Sequence, residues 1–370
     1  MKFQTKYLVL TVFLLSLIVI VSSCNKKEVI EPLPLVPETG DTTAVNVIME
    51  SFPFQSLSEY RFFLGNLSEQ KPNERVYPYK PASQLFTDYA LKKRFIWVPE
   101  GKTMSYQGDD ELFNMPLGTM LIKTFYYDSV QPNNSSKILE TRLMLKKESG
   151  WEFAEYVWNE AQDEATLMMQ GDNVSISWMQ DGNTMSSNYR IPSETECMIC
   201  HKFNSEPIPI GLKPQNLNVD YDFGEGPENQ IQYLINQALI ENNVSGNINT
   251  VVDYTDNTAP LEKRVRSYLD INCAHCHREG SHCSYRPLRL AYSETDIEEN
   301  MGVCVEPDEF INTALMHIIS PGNKDRSVLH YRLQSTNQNE MMPLLGRSIV
   351  HTEGLQLIED YINTLTGNCN

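Results

Sequence analysis

The chain has 370 residues, 41% of them hydrophobic and 21% charged, which is longer than one compact core usually holds and ordinary in composition for a folded soluble chain. A lone small module and collagen-like, coiled-coil or disordered architectures are thereby excluded. A formal net charge of −18 repels phosphate backbones, which argues against nucleic acid as a partner.

The first residues read as an export signal. Lys2 and Lys6 form a basic start, and Tyr7 to Val21 then run almost entirely apolar for about 15 residues, short of the roughly 20 that a membrane span requires. Val21-Ser22-Ser23-Cys24 follows and resembles a bacterial lipobox, which implies cleavage before Cys24 and lipidation of that residue. Residues 1–23 are thus predicted to be a lipoprotein signal peptide, and residues 24–50, with Pro32, Pro34, Pro37 and Gly40, a lipid-anchored linker. The expected location is the cell envelope, tethered to a membrane and facing the periplasm or the exterior.

Residues 51–225 carry strand patterns. Thr119 to Tyr127 is an apolar run with β-branched and aromatic residues, and Leu139, Thr141, Leu143 and Leu145 alternate with Glu140, Arg142, Met144 and Lys146, a period of two that turns one face to a core. Val174, Ile176 and Trp178 alternate again, and Asp181-Gly182 signals a hairpin into Met185–Ile191. Trp151, Phe153, Tyr156 and Trp158 read as core. Residues 226–258 form a predicted connecting segment with a helix over Pro227–Ile240. From 259 to 370 the pattern becomes helical: Leu261, Val265, Tyr268 and Leu269 lead into Cys273, and Leu355, Leu357, Ile358, Tyr361, Ile362 and Leu365 mark a terminal helix.

The eight cysteines carry the chemistry. Cys197-Met198-Ile199-Cys200-His201 and Cys273-Ala274-His275-Cys276-His277 are both C-x-x-C-H, the attachment signal of c-type haem. Two thiols at this spacing reach the two vinyl groups of one porphyrin, and the adjacent imidazole is presented to the iron. A four-cysteine zinc site could use the two pairs but has no need of the histidines, and a thioredoxin-like redox pair lacks its βαβ context. Two covalently bound haem c groups are expected, with His201 and His277 as iron ligands. Of the remaining thiols, Cys283 and Cys304 share one loop-rich segment and are the expected disulfide, leaving Cys369 free.

Residues 259–365 resemble a class I cytochrome c domain: helix, haem motif, Ser320-Pro321-Gly322-Asn323, Met341-Met342-Pro343, terminal helix. The resemblance implies Met342 as the second iron ligand opposite His277, with Met341 as the alternative. Most of the mature chain is similar to one group of dihaem c-type cytochrome lipoproteins, through Leu85-Phe86-Thr87-Asp88-Tyr89-Ala90, Pro116–Phe125, Tyr156-Val157-Trp158-Asn159, Asn272–His277 and Met341–Pro343. This likeness bears on architecture more than on substrate. The β region more weakly resembles the cytochrome P460 and cytochrome c′-β families, which implies an open coordination position at the first haem. Lys123 is the counterpart to nominate for the lysine cross-linked in P460 proteins; on the strand pattern alone it is a surface lysine.

The expected fold is therefore α+β and multidomain, a β-rich N-terminal haem domain followed by an all-α class I cytochrome c domain. The expected function is membrane-tethered electron transfer with redox partner proteins that carry basic docking patches, and no catalytic residue is assigned. The alternative is a haem enzyme acting on hydroxylamine, nitric oxide or peroxide at the first haem, with the second relaying electrons.

Overall fold

Strand alternation dictates the central element. The computed structural model describes residues 44–369 and builds within them an antiparallel sheet of eight strands. These are β1 (Val76–Pro78), β2 (Leu91–Trp97), β3 (Met120–Val130), β4 (Ser135–Lys147), β5 (Gly150–Trp158), β6 (Ala165–Leu167), β7 (Asp172–Gln180) and β8 (Asn183–Ile191). The order is β8-β7-β3-β4-β5-β6, with β2 also paired to β3 and carrying β1. The Asp181-Gly182 turn joins β7 to β8 with both residues at positive φ, 48° and 78°, as a two-residue hairpin turn requires.

Both faces of this sheet are covered. On one, Phe95, Ile122, Leu143 and Ala154 stand opposite each other across four strands and are buried. Polar side chains there form a chain: Gln70 Nε2 donates to Thr124 Oγ1 (2.6 Å), which lies 2.8 Å from Thr141 Oγ1, and Trp158 Nε1 donates to Thr141 (3.0 Å). On the other, Ile96, Leu121 and Met144 pack under Leu212, Leu217, Ile231 and Leu234, and the neighbouring row is Arg94, Lys123, Arg142 and Glu155. Sequence alternation suggested a single core face; Glu140 and Glu155 are in fact as buried as the leucines opposite.

The helices are short. They are α1 (Glu194–Cys200), α2 (Pro214–Leu217), α3 (Gln230–Asn236), α4 (Leu261–Leu269), α5 (Glu298–Met301), α6 (Val328–Gln334) and α7 (Thr352–Thr364). The helix expected over Pro227–Ile240 is reduced to α3, because Pro227–Asn229 pairs with Asp220–Asp222 as a ribbon.

The expected separate all-α cytochrome c domain is overturned: among the described residues none exists. From 259 onward, α4 to α7 are separated by long turn-rich stretches. Gly280, Gly302 and Gly322 adopt positive φ there, and Pro287, Pro307 and Pro321 deny helix continuation. At Gly302, which ends α5, a Cβ would stand 2.5 Å from Ile318 Cγ2. The described residues instead all lie within one compact unit, and Leu85, from the segment before β2, packs on the core formed by α4, α6 and α7.

That segment is a strap. Asp88, at φ 45°, accepts hydrogen bonds from Ser187 Oγ (2.6 Å), Ser348 N and Oγ (both 2.7 Å) and Ile349 N (3.1 Å). Phe86 stacks on His351 with ring centroids 4.0 Å apart, and its N–H donates to Asn272 Oδ1 (2.8 Å). Tyr89 OH donates to Glu353 (2.7 Å) at the start of α7.

The disulfide also differs from expectation. Cys304 joins Cys369, with Cα atoms 5.1 Å apart, and Cys283 is the free, buried thiol. Turn hydrogen bonds hold Cys283 beside the second C-x-x-C-H motif, its N–H donating to Cys276 O (3.0 Å), while the Cys304 N–H is tied to Ile319 O (3.0 Å). Closeness in sequence therefore did not select the pair. Cys24 and the apolar run before it lie outside the described residues, among which no helix is long and apolar enough to cross a membrane.

Replacing Asp88 by Ala removes the acceptor that ties β8 to the Ser348 segment. We expect a loss of about 3 kcal/mol in unfolding free energy by urea titration, and a smaller loss for Asp88→Asn, which keeps one acceptor and tolerates the left-handed backbone.

Candidate functional site

The first C-x-x-C-H motif forms α1 because its start is capped. Ser193 and Glu196 make a reciprocal capping box, and Glu196 is also ion-paired with Arg190 on β8 at 2.7 Å. Gly171 lets this start approach the sheet, since a Cβ there would stand 2.7 Å from Ser193 N. His201 follows the last helical residue. Its Nδ1 lies 2.8 Å from the Ile208 carbonyl oxygen; a carbonyl only accepts, so Nδ1 carries the proton and Nε2 keeps its lone pair. Burial pushes the imidazole down to about 4, and the Phe153 ring packs 5.4 Å away.

The second motif lies where α4 runs into a π-helical turn, Asp270–Ala274, a distortion common at functional sites. Buried Asp270 anchors the turn, accepting from Tyr292 N (3.0 Å) with Lys213 Nζ at 3.9 Å. The N–H groups of Cys276 and His277 both donate to Cys273 O at 3.0 Å. His277 Nδ1 is buried without a partner, and burial, with His275 and nearby arginines, pushes its imidazole down to about 4.

Each motif lines a cavity. Cys273, Cys276, His277, Leu329, Leu333 and Met342 wall one, and Cys197, Cys200 and His201 wall another against β3, β4 and β5. The two abut: Cys200, Asn272, His275, Pro343 and Leu345 border both. Ligand atoms of Cys200, His275 and Cys276 lie within 4.8 Å of one another, and Cys276 Sγ is 3.5 Å from Ile199 O. The chain thus brings together two motifs that its sequence separates widely.

Met342, not Met341, reaches the second cavity; Met341 is buried elsewhere. Arg347 holds the Met342 loop, donating to the carbonyls of Met342 (3.0 Å), Ile349 (3.2 Å), Arg332 (3.0 Å) and Ser335 (2.8 Å). His351, which immediately precedes α7, is buried, bonded to Tyr268 OH (3.2 Å) and absent from the second cavity's wall.

Lys123 is not on the surface; it lines the first cavity with Arg94, Arg142, Phe153 and Glu155. Arg142 is paired with Glu140, and its Nε lies 3.2 Å from Glu155. Burial works against charge on Glu140, but the Arg142 guanidinium and the Tyr189 hydroxyl hold its carboxyl low. Burial and the Glu140 charge push Glu155 well above the usual carboxylate range, and burial, with Arg94 and Arg142 nearby, pulls Lys123 well below the usual lysine range. Sequence reasoning missed Phe153, Glu155, Asn272 and Arg347. Only the first two had a signal, since they alternate on β5 with Ala154 and Tyr156 of the opposite face.

Because Arg347 serves four backbone carbonyls at once, Arg347→Ala should cost about 3 kcal/mol of stability. It should also speed hydrogen exchange at the amides of residues 342–349, with Arg347→Lys restoring only part, since an ammonium cannot reproduce the guanidinium fork. Comparison with protein-family models, with curated proteins and with solved structures finds no match, so the functional reading rests on the chemistry of these residues.

Proposed function

We propose that this chain is a dihaem c-type cytochrome, a membrane-tethered electron transfer protein of the bacterial cell envelope. The observation that carries this reading is that each C-x-x-C-H motif borders its own cavity and that the two cavities share a wall. The residues fit the group. Cys197 and Cys200 would hold one haem and Cys273 and Cys276 the other; His201 Nε2 has its lone pair free, and the partnerless Nδ1 of His277 leaves that ring unengaged by the protein. Met342 borders the second cavity with His277 and would supply a thioether ligand there.

Haem c, when bound, supplies reversible one-electron exchange at iron, and His/Met ligation sets a higher potential than bis-nitrogen ligation. The chain's own side chains do the rest. Leu329 and Leu333 exclude water from the second cavity, Arg347 fixes the loop that carries Met342, and Cys200, His275 and Cys276 form the partition through which the two sites communicate. A surface with net charge −18 favours brief, salt-sensitive docking of partners with a basic patch. Lipidation at Cys24 would keep these encounters at a membrane surface.

A second reading, a haem enzyme for a small molecule such as hydroxylamine, nitric oxide or peroxide, is favoured by one observation: the first cavity is bordered by a cross-strand row of charged groups, Arg94, Lys123, Arg142 and Glu155. Spectra separate the two. Two low-spin haems that bind no exogenous ligand support the carrier, and a high-spin first haem supports the enzyme.

Made in a host competent for haem attachment, the protein should gain two haem masses, and Cys197→Ala and Cys276→Ala should each impair one attachment. A colourless, zinc-containing product, with metal at Cys200, His275 and Cys276, overturns the proposal. Met342→Ala should keep both haems, abolish the red sulfur-to-iron band and lower one potential. Met341→Ala and His351→Ala should leave that band intact.

A further inference from the structure

Arg94 on β2 and Lys123 on β3 are cross-strand partners, and both border the first cavity. Arg142, next in the same row, is matched by Glu140 and Glu155. Arg94 and Lys123 are not matched: among the described residues no carboxylate lies within ion-pair distance of either. Arg94 is 7% exposed, and Lys123 has only the Phe125 ring, 4.8 Å from its Nζ. A guanidinium stays charged when buried, and a buried charge without a partner is among the costliest features a fold can retain. The space beside it is a cavity and not packed side chains, so the missing counter-charge has room to enter.

We propose that Arg94 and Lys123 form an oxyanion subsite in the first cavity, one that takes a carboxylate or a small inorganic oxyanion. The planar fork of Arg94 suits two oxygens of such a group, and the Lys123 ammonium adds a point charge from the adjacent strand. Arg94 and Lys123 on adjacent strands give the site its positive side, and the carboxylates next along the row, Glu140 and Glu155, are engaged by Arg142. Two sources offer this chemistry: a propionate of the haem held at Cys197 and Cys200, an assignment that rests on the proposed function, or a free oxyanion that enters the cavity.

The test uses the full-length protein as isolated, with Arg94→Gln and Lys123→Met, and with Lys137→Gln on the surface as control. Each is titrated with sodium nitrite by calorimetry and examined by resonance Raman spectroscopy, where the propionate bending mode reports hydrogen bonds to those carboxylates. A free-anion site gives nitrite binding in the parent and control that weakens about tenfold or more in both variants. A propionate site gives no nitrite heat, but a bending mode that shifts in both variants and not in the control. Arg94→Lys, which keeps the charge, should retain most of either signal, separating loss of charge from loss of fold. An unmoved bending mode, together with nitrite heat that is absent or equal in all variants, overturns the subsite. Haem content measured on the same samples is a separate result: a parent without haem overturns the dihaem proposal, while the nitrite titration still decides the subsite.

Discussion

A sheet buried on both faces is the constraint from which the rest of this structure follows. β2, β3, β4 and β5 place Arg94, Lys123, Arg142 and Glu155 in one row across four strands. Such a row normally faces water. Here the segments that cover it, residues 209–211 and the Ile271–His275 turn, stop short of filling the space and leave a cavity over the charges. An apolar cover in full contact would have stranded those groups without solvation. Partial pairing within the row, together with an open volume beside it, is the arrangement that lets the fold keep them.

The same constraint explains why the C-terminal part does not stand alone. Its core of Val265, Leu269, Ile319, Ile358 and Ile362 accepts Leu85 from the strap before β2, and Asp88 in that strap accepts hydrogen bonds from both β8 and the Ser348 segment. The helical pattern around Cys273 and in α7 was legible in the sequence because it depends on local periodicity. What those helices pack against was not legible, because the contacts with the strap join residues more than a hundred positions apart. A helix, a C-x-x-C-H motif, a Met-Pro element and a terminal helix are compatible with a free-standing all-α domain and equally with helices packed on a strap that leads into a sheet.

Legibility divides along the same line at the site. Spacing alone identified the two Cys-His motifs, since the geometry that matters is contained in five residues. The hairpin at Asp181-Gly182 was readable for the same reason. The choice of Met342 over Met341 followed a resemblance, and in the structure it is Met342 that borders the cavity; no periodic signal distinguishes adjacent methionines. The Cys304–Cys369 bond was misjudged because pairing was ranked by closeness along the chain. The place of Lys123 on a cavity wall was missed because a lysine in an alternating strand reads as solvent-facing until the covering segment is known.

The shared wall deserves a chemical reading of its own. Asn272 is bonded on one side to the strap, through Phe86 N, and on the other to α4, through Tyr268 O, and it borders both cavities. His275 borders both as well, and its Nδ1 is buried without a partner. Of the residues that border both cavities, Asn272 is thus hydrogen-bonded on two sides, while His275 keeps an unpaired Nδ1. Groups attached at Cys200 and Cys276 would start from neighbouring points along this shared wall. On the proposed reading, a shared wall would shorten the path between the two groups, while the acidic exterior would act only on the encounter with partners. Communication between the sites and recognition of partners would then rest on different parts of the chain, so that each could be altered by substitution without touching the other.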